Sequence, residues 1–195
     1  MSADGERFEP ADLAAWRAWL GDNHRRAAGV WLVTWRARTG RTQFSYDEAV
    51  EQALCFGWVD SKPRALDDDR TMLWFAPRKR GSGWSRPNKQ RVERLLAAGL
   101  MAPAGLAAVE TAKADGSWTM LDAVEDLVVP DDLAAAFEAR PGAREQWEAF
   151  PRSVKRGILE WIVQAKRPGT RAKRVTETAD KAAVGERANQ WRPRS

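Results

Sequence analysis

The sequence predicts an α+β protein, in which a small three-stranded antiparallel sheet with flanking helices is followed by an all-helical part. Three observations lead to this prediction. The runs typical of strands lie within the first 77 residues. Helical periodicity dominates from residue 85 onward, and prolines stand at the predicted starts of most of these later helices. With 195 residues, of which 44% are hydrophobic, the chain can bury a substantial core.

The first predicted element is a helix from Pro10 to Asn23. Leu13, Trp16 and Leu20 recur at a spacing that places them on one helical face. Pro10 suits the first turn of a helix, because its missing N–H would have no intrahelical partner there. This segment is therefore expected to be a helix with one apolar face.

Three short runs are typical of strands. GVWLVTWRA begins at Gly29, is rich in β-branched and aromatic residues, and ends in turn residues at 39–42. GWVDSK at 57–62 and TMLWFAP at 71–77 are separated by a polar segment with an acidic turn at 67–69. That arrangement is typical of an antiparallel pair, so the three runs together predict a three-stranded antiparallel sheet.

Two helices are predicted around these strands from their capping residues. Ser45 followed three residues later by Glu48 forms a capping box, and Gly57 ends the helix that it starts. Ser85 caps a second helix, which Gly99 ends. The first of these helices therefore lies between two strands, and the second opens the all-helical part.

The remaining sequence predicts a succession of helices, and we expect the whole chain to form three regions. We expect an N-terminal α+β domain over 1–118, a C-terminal helical domain over 119–185 packed on it, and a flexible tail over 186–195. Further helices are expected at 103–113, 130–139, 141–150 and 151–166, and from 168 to about 185.

Composition excludes several kinds of site. The single cysteine, Cys55, rules out an intramolecular disulfide, and a single histidine, His24, makes a Cys/His zinc site impossible by count. Apolar neighbours of Cys55 favour a buried, inert thiol, and His24 is expected to be a cation at a helix end. No catalytic motif is found, so an enzyme is not indicated and no metal or cofactor is predicted.

The sequence also bears on location and on charge. It shows no signal-peptide pattern at its start and no run of about 18 apolar residues, so we expect a cytoplasmic protein without membrane insertion. Residues 151–195 hold 12 Lys and Arg against 4 Asp and Glu. This basic region permits an alternative function, the binding of nucleic acid or another polyanion, although such a helix face is more often solvated.

The segment 77–88, here called the cationic loop, carries the strongest functional signal. Several cations, the flexible glycines Gly81 and Gly83, and the start of a helix converge there. This combination suits the binding of a phosphate or carboxylate. The alternative is a loop whose cations only keep an edge soluble, and Asp60 could equally form a salt bridge that orders it. The candidate ligand-binding residues are Trp58, Asp60, Arg78, Arg80, Trp84, Ser85 and Asn88.

Several motifs closely resemble a known bacterial family. The segments 45–50, 53–61, 75–79 and 84–85, together with 103–106, 115–118 and 165–168, are similar to those of the YdeI/OmpD-associated family of bacteriocin-protection proteins. The resemblance extends from about residue 16 to 175. It implies protection against antibacterial peptides and association with an outer-membrane porin, and it implies no catalytic residue.

These observations together predict a noncatalytic intracellular binding protein linked to stress or antibacterial-toxin tolerance. We expect its ligand to be a small anionic or aromatic molecule, or a peptide, held near the cationic loop. Arg78, Arg80, Ser85 and Asn88 would hold the anion, and Trp58 and Trp84 would form the walls of the site. The sequence leaves the oligomeric state open.

Overall fold

A computed structural model of the protein describes residues 5–41 and 43–190, and the chain divides into two compact units. The first unit comprises the described residues up to Ser82 together with Pro87–Trp118. The second comprises Gly83–Arg86 and the described residues from Thr119 onward. Strands lie in the first unit and the second is helical, so the predicted α+β class is confirmed.

The sheet contains four strands among the described residues, in the order β1-β2-β4-β3. Antiparallel pairing of β2 with β4 and of β4 with β3 agrees with the prediction. The prediction of a purely antiparallel three-stranded sheet is wrong in one respect, because β1 pairs with β2 in parallel and makes the sheet mixed. A strand of two residues is too short to produce an alternating pattern. The strands are β1 (Arg7–Phe8), β2 (Val30–Trp35), β3 (Trp58–Ala65) and β4 (Arg70–Pro77).

Side chains cap the N-termini of two helices that flank the sheet, and the first helix begins after Asp12 rather than at Pro10 as predicted. Asp12 accepts a hydrogen bond from the backbone N–H of Ala15 at 2.8 Å. The predicted capping box is confirmed, since Ser45 and Glu48 each accept a hydrogen bond from the backbone N–H of the other. These helices are α1 (Leu13–Asn23), α2 (Tyr46–Cys55), α3 (Arg86–Ala97) and α4 (Pro103–Ala114), with a 3-10 turn at Ala37–Thr39.

The two faces of the sheet differ in what covers them. On one face, here called the helical face, β2 and β4 place Leu32 beside Leu73 and Val30 beside Phe75. The Trp16 ring of α1 lies 5.3 Å from the Phe75 ring, so helix α1 covers that end of the face. The opposite face carries a small separate cluster formed by Trp31, Val33 and Met72, with Leu66 and Trp74 packed against it.

A close helix contact fixes the end of α2. A Cβ atom at Gly105 of α4 would lie 2.2 Å from the carbonyl oxygen of Cys55, so only glycine permits this approach. Cys55 itself is fully buried. This contact therefore holds the C-terminal end of α2 close against α4.

The second unit is a set of short helices around its own core. Its largest buried side chains include Leu133, Phe137, Trp147 and Ile158, and the core extends to Ala188. Residues 191–195 of the predicted tail lie outside the described residues. The helices are α5 (Asp122–Glu125), α6 (Asp131–Glu138), α7 (Ala143–Ala149), α8 (Arg152–Val163) and α9 (Pro168–Ala183), of which α5 was not predicted.

Acidic side chains of α5 and α6 form ion pairs with basic side chains of α8 and α9. Glu125 of α5 pairs with Arg156 of α8, and Asp132 of α6 pairs with Arg171 of α9. Within the residues that the structure describes, none of the helices combines the length and the apolar character that a membrane crossing requires.

Candidate functional site

The helical face of the sheet is only partly covered, and a cavity lies at the uncovered part. Its volume is about 610 Å³. Whereas Trp16 covers Phe75 at one end of the face, the cavity begins further along the strands, at Leu32, Thr34 and Leu73. The N-terminal end of α2 forms another wall through Tyr46 and its neighbours. The cavity lies entirely within the first unit.

The lining of the cavity is mainly apolar, with a few hydroxyl groups and a carboxylate. Its apolar members come from β2, β3, β4, the 3-10 turn, the segment before α2 and α2 itself. They are Leu32, Trp35, Ala37, Phe44, Ala49, Pro63 and Leu73, together with Met72, which also belongs to the cluster on the opposite face, and the polar members are Thr34, Ser45, Tyr46, Asp60, Ser61 and Thr71.

Asp60 and Tyr46 form the polar wall of the cavity. Asp60 lines the cavity and pairs with Phe75 of the helical face, and a register shift in β3 follows it before Pro63, which pairs with Leu73. The Tyr46 hydroxyl donates a hydrogen bond of 2.8 Å to the Asp60 carboxylate. Partial burial and this hydrogen bond raise the pKa of Tyr46 to about 12. The phenol therefore stays protonated at neutral pH and remains a donor.

Arg78 adds a positive charge close to this wall. Burial lowers the pKa of Arg78 to about 10, and attraction to Asp60 opposes that effect. The guanidinium is still charged at neutral pH. Its Nη1 lies 3.4 Å from the Ser82 hydroxyl, to which it donates a long hydrogen bond. Arg78 thus interacts with Asp60 electrostatically without lining the cavity.

A second arginine acts on Tyr46 from α3. Arg91 forms an ion pair with Asp47 and donates a hydrogen bond of 2.9 Å to Asn88 Oδ1. Its charge slightly opposes the rise in the Tyr46 pKa. Asn88 thus accepts a hydrogen bond from Arg91, and neither residue lines the cavity.

The predicted site residues do not all converge. Asp60 lines the cavity, Arg78 lies outside the lining but interacts electrostatically with Asp60, and Asn88 bonds Arg91. Trp58 does not form a wall of a site, because it is 1% exposed, stacks edge-on against Trp19 and donates its indole N–H to the His24 carbonyl. The Arg80 side chain is 80% exposed and its Nε lies 3.7 Å from an Asp115 carboxylate oxygen.

The other two predicted residues lie in the second unit. Trp84 is 1% exposed and is therefore a packed side chain rather than a wall open to a ligand. Ser85 directly precedes helix α3, as predicted, and belongs to the same unit. The cationic loop is thus divided between the two units, and its residues do not form one site within either of them.

Sequence reasoning missed Tyr46, which is the main new residue of the site. It is the only tyrosine of the chain and immediately follows the capping residue Ser45. A signal was present, because an aromatic residue with a polar tip at the start of a helix is suited to a partly exposed wall. The capping box of Ser45 and Glu48 explains the same segment by local structure alone.

Cys55 and His24 have structural roles. Burial raises the pKa of the Cys55 thiol, which confirms the prediction of a buried thiol at this position. Nδ1 of His24 lies 2.8 Å from the Gly21 carbonyl oxygen at the end of α1. Across residues 5–41 and 43–190, no cluster of three or more His, Cys, Asp or Glu side chains is arranged to hold a metal ion.

Comparison with known families divides the chain in a similar way. Residues 8–108, more than half of the chain, match the family described as a domain of unknown function, DUF8412. The chain belongs to this family. Residues 126–185 match the family described as Bacteriocin-protection, YdeI or OmpD-Associated. No curated protein and no solved structure gives a significant match.

The predicted resemblance is confirmed over residues 126–185. Most of the motifs on which it depended lie earlier in the chain, within or next to the DUF8412 segment. The cavity and its polar wall, from Leu32 to Leu73, also lie within the DUF8412 segment. Neither family description names a ligand, so the chemistry of the cavity must be argued from its own residues.

Proposed function

We propose that this protein is a noncatalytic binding protein whose small ligand occupies the cavity on the helical face of the sheet. The observation that carries this proposal is the cavity itself, about 610 Å³ in volume, with a mainly apolar lining and one polar wall. Pockets for small molecules typically measure about 300–1,000 Å³ and combine apolar walls with a few polar groups that orient the ligand.

The cavity differs from the cationic loop in the charge of its side chains. A carboxylate, that of Asp60, lines the cavity, whereas Arg78, a cation that interacts with it electrostatically, does not. Such a lining favours the aromatic ligand of the two expected kinds and disfavours the anionic one, because a bound anion would be repelled by Asp60.

Binding rather than turnover is proposed because the polar groups suit hydrogen bonding. Tyr46, with a pKa of about 12, is a poor proton donor to a substrate at neutral pH and its hydroxyl already bonds Asp60. The description of the family that matches residues 126–185 names bacteriocin protection. We therefore propose that ligand binding serves tolerance to antibacterial toxins.

A fluorescent titration with N-phenyl-1-naphthylamine tests the site. This neutral dye emits strongly in apolar surroundings, so we expect saturable enhancement with the parent protein. Thr34→Trp should weaken binding by at least about tenfold, because the new indole would occupy the cavity beside Leu32 and Leu73. Thr176→Trp, an exposed position on α9 of the second unit, is the matched control and should bind as the parent does.

Two results would overturn the proposal. One is the absence of saturable enhancement with the parent protein. The other is parent-like binding by a Thr34→Trp protein whose circular dichroism shows a native fold. If Thr34→Trp does not fold, Ala37→Trp fills the cavity from an exposed position of the 3-10 turn instead.

The alternative of nucleic-acid binding has less support in the second unit. Basic side chains of α8 and α9 are engaged by acidic neighbours, as Arg156 is by Glu125 and Arg171 by Asp132. Arg140 pairs with Asp180, and Arg174 lies over the Trp161 ring at 4.9 Å. Cations that are already paired contribute less to binding a phosphate backbone than free ones do.

A further inference from the structure

We infer that the ligand of the cavity is a cation, an aromatic or similarly apolar molecule that carries a protonated amine directed at Asp60. This inference deepens the proposed function and rests on it. It concerns the charge of the ligand, which the volume and the apolar character of the cavity do not determine. The charges, the hydrogen bonds and the aromatic side chains of the lining all bear on the charge of the ligand.

The charge of the lining is negative. Of the described residues that line the cavity, Asp60 is the one with a carboxylate, and the others are apolar or carry hydroxyl groups. A ligand anion would lose its hydration and also face this carboxylate. A ligand ammonium would exchange its hydration for a charge-assisted hydrogen bond.

The Asp60 carboxylate has room for such a bond. Its Oδ2 accepts from Tyr46, and the part of the chain that the structure describes supplies it with no further hydrogen bond. Asp132 in the second unit is different, because it accepts two hydrogen bonds from Arg171, at 2.7 and 2.9 Å. A carboxylate beside an apolar cavity with an oxygen left for a donor is suited to orient a ligand.

The neighbouring cations do not take the place of a ligand. Arg91 is engaged by Asp47 and Asn88, and Arg78 contacts Ser82 and lies outside the lining. Lys62, next to the register shift, has its ammonium 5.6 Å from the centre of the Trp31 ring, whose residue belongs to the opposite face. None of these three cations is among the described residues that line the cavity beside Asp60.

Aromatic side chains strengthen the preference for a cation. Phe44 and Tyr46 line the cavity together with Asp60, and a ring face attracts an ammonium group. Trp35 also lines it, but Arg41 and Arg70 already lie over that ring, at 4.9 and 5.7 Å from its centre. We therefore assign the contacts with the ligand cation to Phe44, Tyr46 and Asp60.

Three matched probes test the charge of the ligand: 1-naphthylmethylammonium, the neutral 1-naphthylmethanol, and 1-naphthoate. Titration calorimetry at neutral pH should show the ammonium binding at least about tenfold more tightly than the alcohol, with the carboxylate weakest. Asp60→Asn should weaken the ammonium about tenfold and leave the alcohol within about twofold. Asp22→Asn, an exposed position in α1, is the matched control and should change neither.

The outcomes separate the inference from the proposed function. Equal or tighter binding of 1-naphthoate, or an Asp60→Asn protein that binds the ammonium as the parent does, would overturn the inference. In that case binding of 1-naphthylmethanol that Thr34→Trp abolishes would leave the proposed function in place. If the alcohol does not bind, or binds equally well to folded Thr34→Trp, the proposed function itself is overturned.

Discussion

Two carboxylates, Asp60 of the first unit and Glu125 of the second, show how differently the units use charge. Glu125 is 9% exposed and accepts two hydrogen bonds from Arg156, at 2.9 and 3.2 Å. These bonds hold the pKa of Glu125 below its ordinary value. Asp60 accepts a hydrogen bond from a phenol and otherwise faces a cavity. A matched partner makes a buried carboxylate structural, whereas unused hydrogen-bonding capacity beside a cavity suits a ligand.

The packing of the units differs in the same sense. Leu133 of the second unit is fully buried among helices that close around it, whereas Leu73 of the first unit is half-buried at the wall of the cavity. The second unit thus covers Leu133 with its own helices, whereas the first leaves part of a sheet face without a covering helix. If the two regions differ in this way, matched substitutions in them should have unequal effects.

The largest effect is expected from truncating one leucine in each unit to alanine. Leu133→Ala should lower the free energy of unfolding by about 3–5 kcal/mol, because it leaves a cavity in a packed core. Leu73→Ala should cost about 1–2 kcal/mol, because its side chain already borders open space. Denaturant unfolding followed by circular dichroism measures both. Equal losses would mean that the two regions are packed equally well.

An intermediate effect is expected from neutralising the two carboxylates. Glu125→Gln should lower the free energy of unfolding by about 1–3 kcal/mol, because Arg156 loses its partner. Asp60→Asn should change it by less than about 1 kcal/mol, because Asp60 is half-buried and makes a single hydrogen bond. A larger loss for Asp60→Asn than for Glu125→Gln would contradict the assignment of roles.

The same pair of variants should differ in their pH dependence. The folded-state pKa of Glu125 is lowered, so its contribution to stability is present above the unfolded pKa of about 4.3 and is lost as the pH falls through the folded pKa. The parent should therefore lose more stability than Glu125→Gln on acidification below about pH 4. Parallel curves for the two proteins would show that the ion pair with Arg156 contributes nothing.

The smallest effect is local to Tyr46 and is free of interference, because the chain contains one tyrosine. With a pKa of about 12, Tyr46 should be largely protonated at about pH 11, where an ordinary tyrosine is about nine-tenths ionised. Asp60→Asn should lower this pKa toward its ordinary value, since a hydrogen bond to a negative charge is removed. The tyrosinate absorbance measures ionisation. Ordinary titration in the parent would mean that the Tyr46–Asp60 bond does not form.

Much of the fold could be predicted from the sequence because local signals and tertiary packing agree. The capping box of Ser45 and Glu48, the periodicity of the later helices and the antiparallel strand runs all point to the observed elements. The strand at Arg7–Phe8 could not be predicted, because two residues carry no periodicity and depend on pairing with β2. The same is true of α5, which has four residues.

The candidate site could be predicted only in part. Asp60, Arg78 and Asn88 were recognised as polar groups near a turn, but the cavity depends on which end of a sheet the helices leave uncovered. Pro63 indicates an edge strand or a bulge, but it does not fix the register shift that decides which later side chains of β3 reach the helical face. The burial of Trp58 depends on its contact with Trp19 of α1, which the sequence does not reveal.

A crystal structure of the complex with 1-naphthylmethylammonium would show directly whether the cavity holds a cation beside Asp60. The account predicts density for the ring system in the cavity bounded by Leu32, Phe44 and Leu73. The amine nitrogen should lie within hydrogen-bonding distance of Asp60, about 2.7–3.2 Å from a carboxylate oxygen. Density for the probe at the cationic loop, with the cavity free of it, would contradict the account.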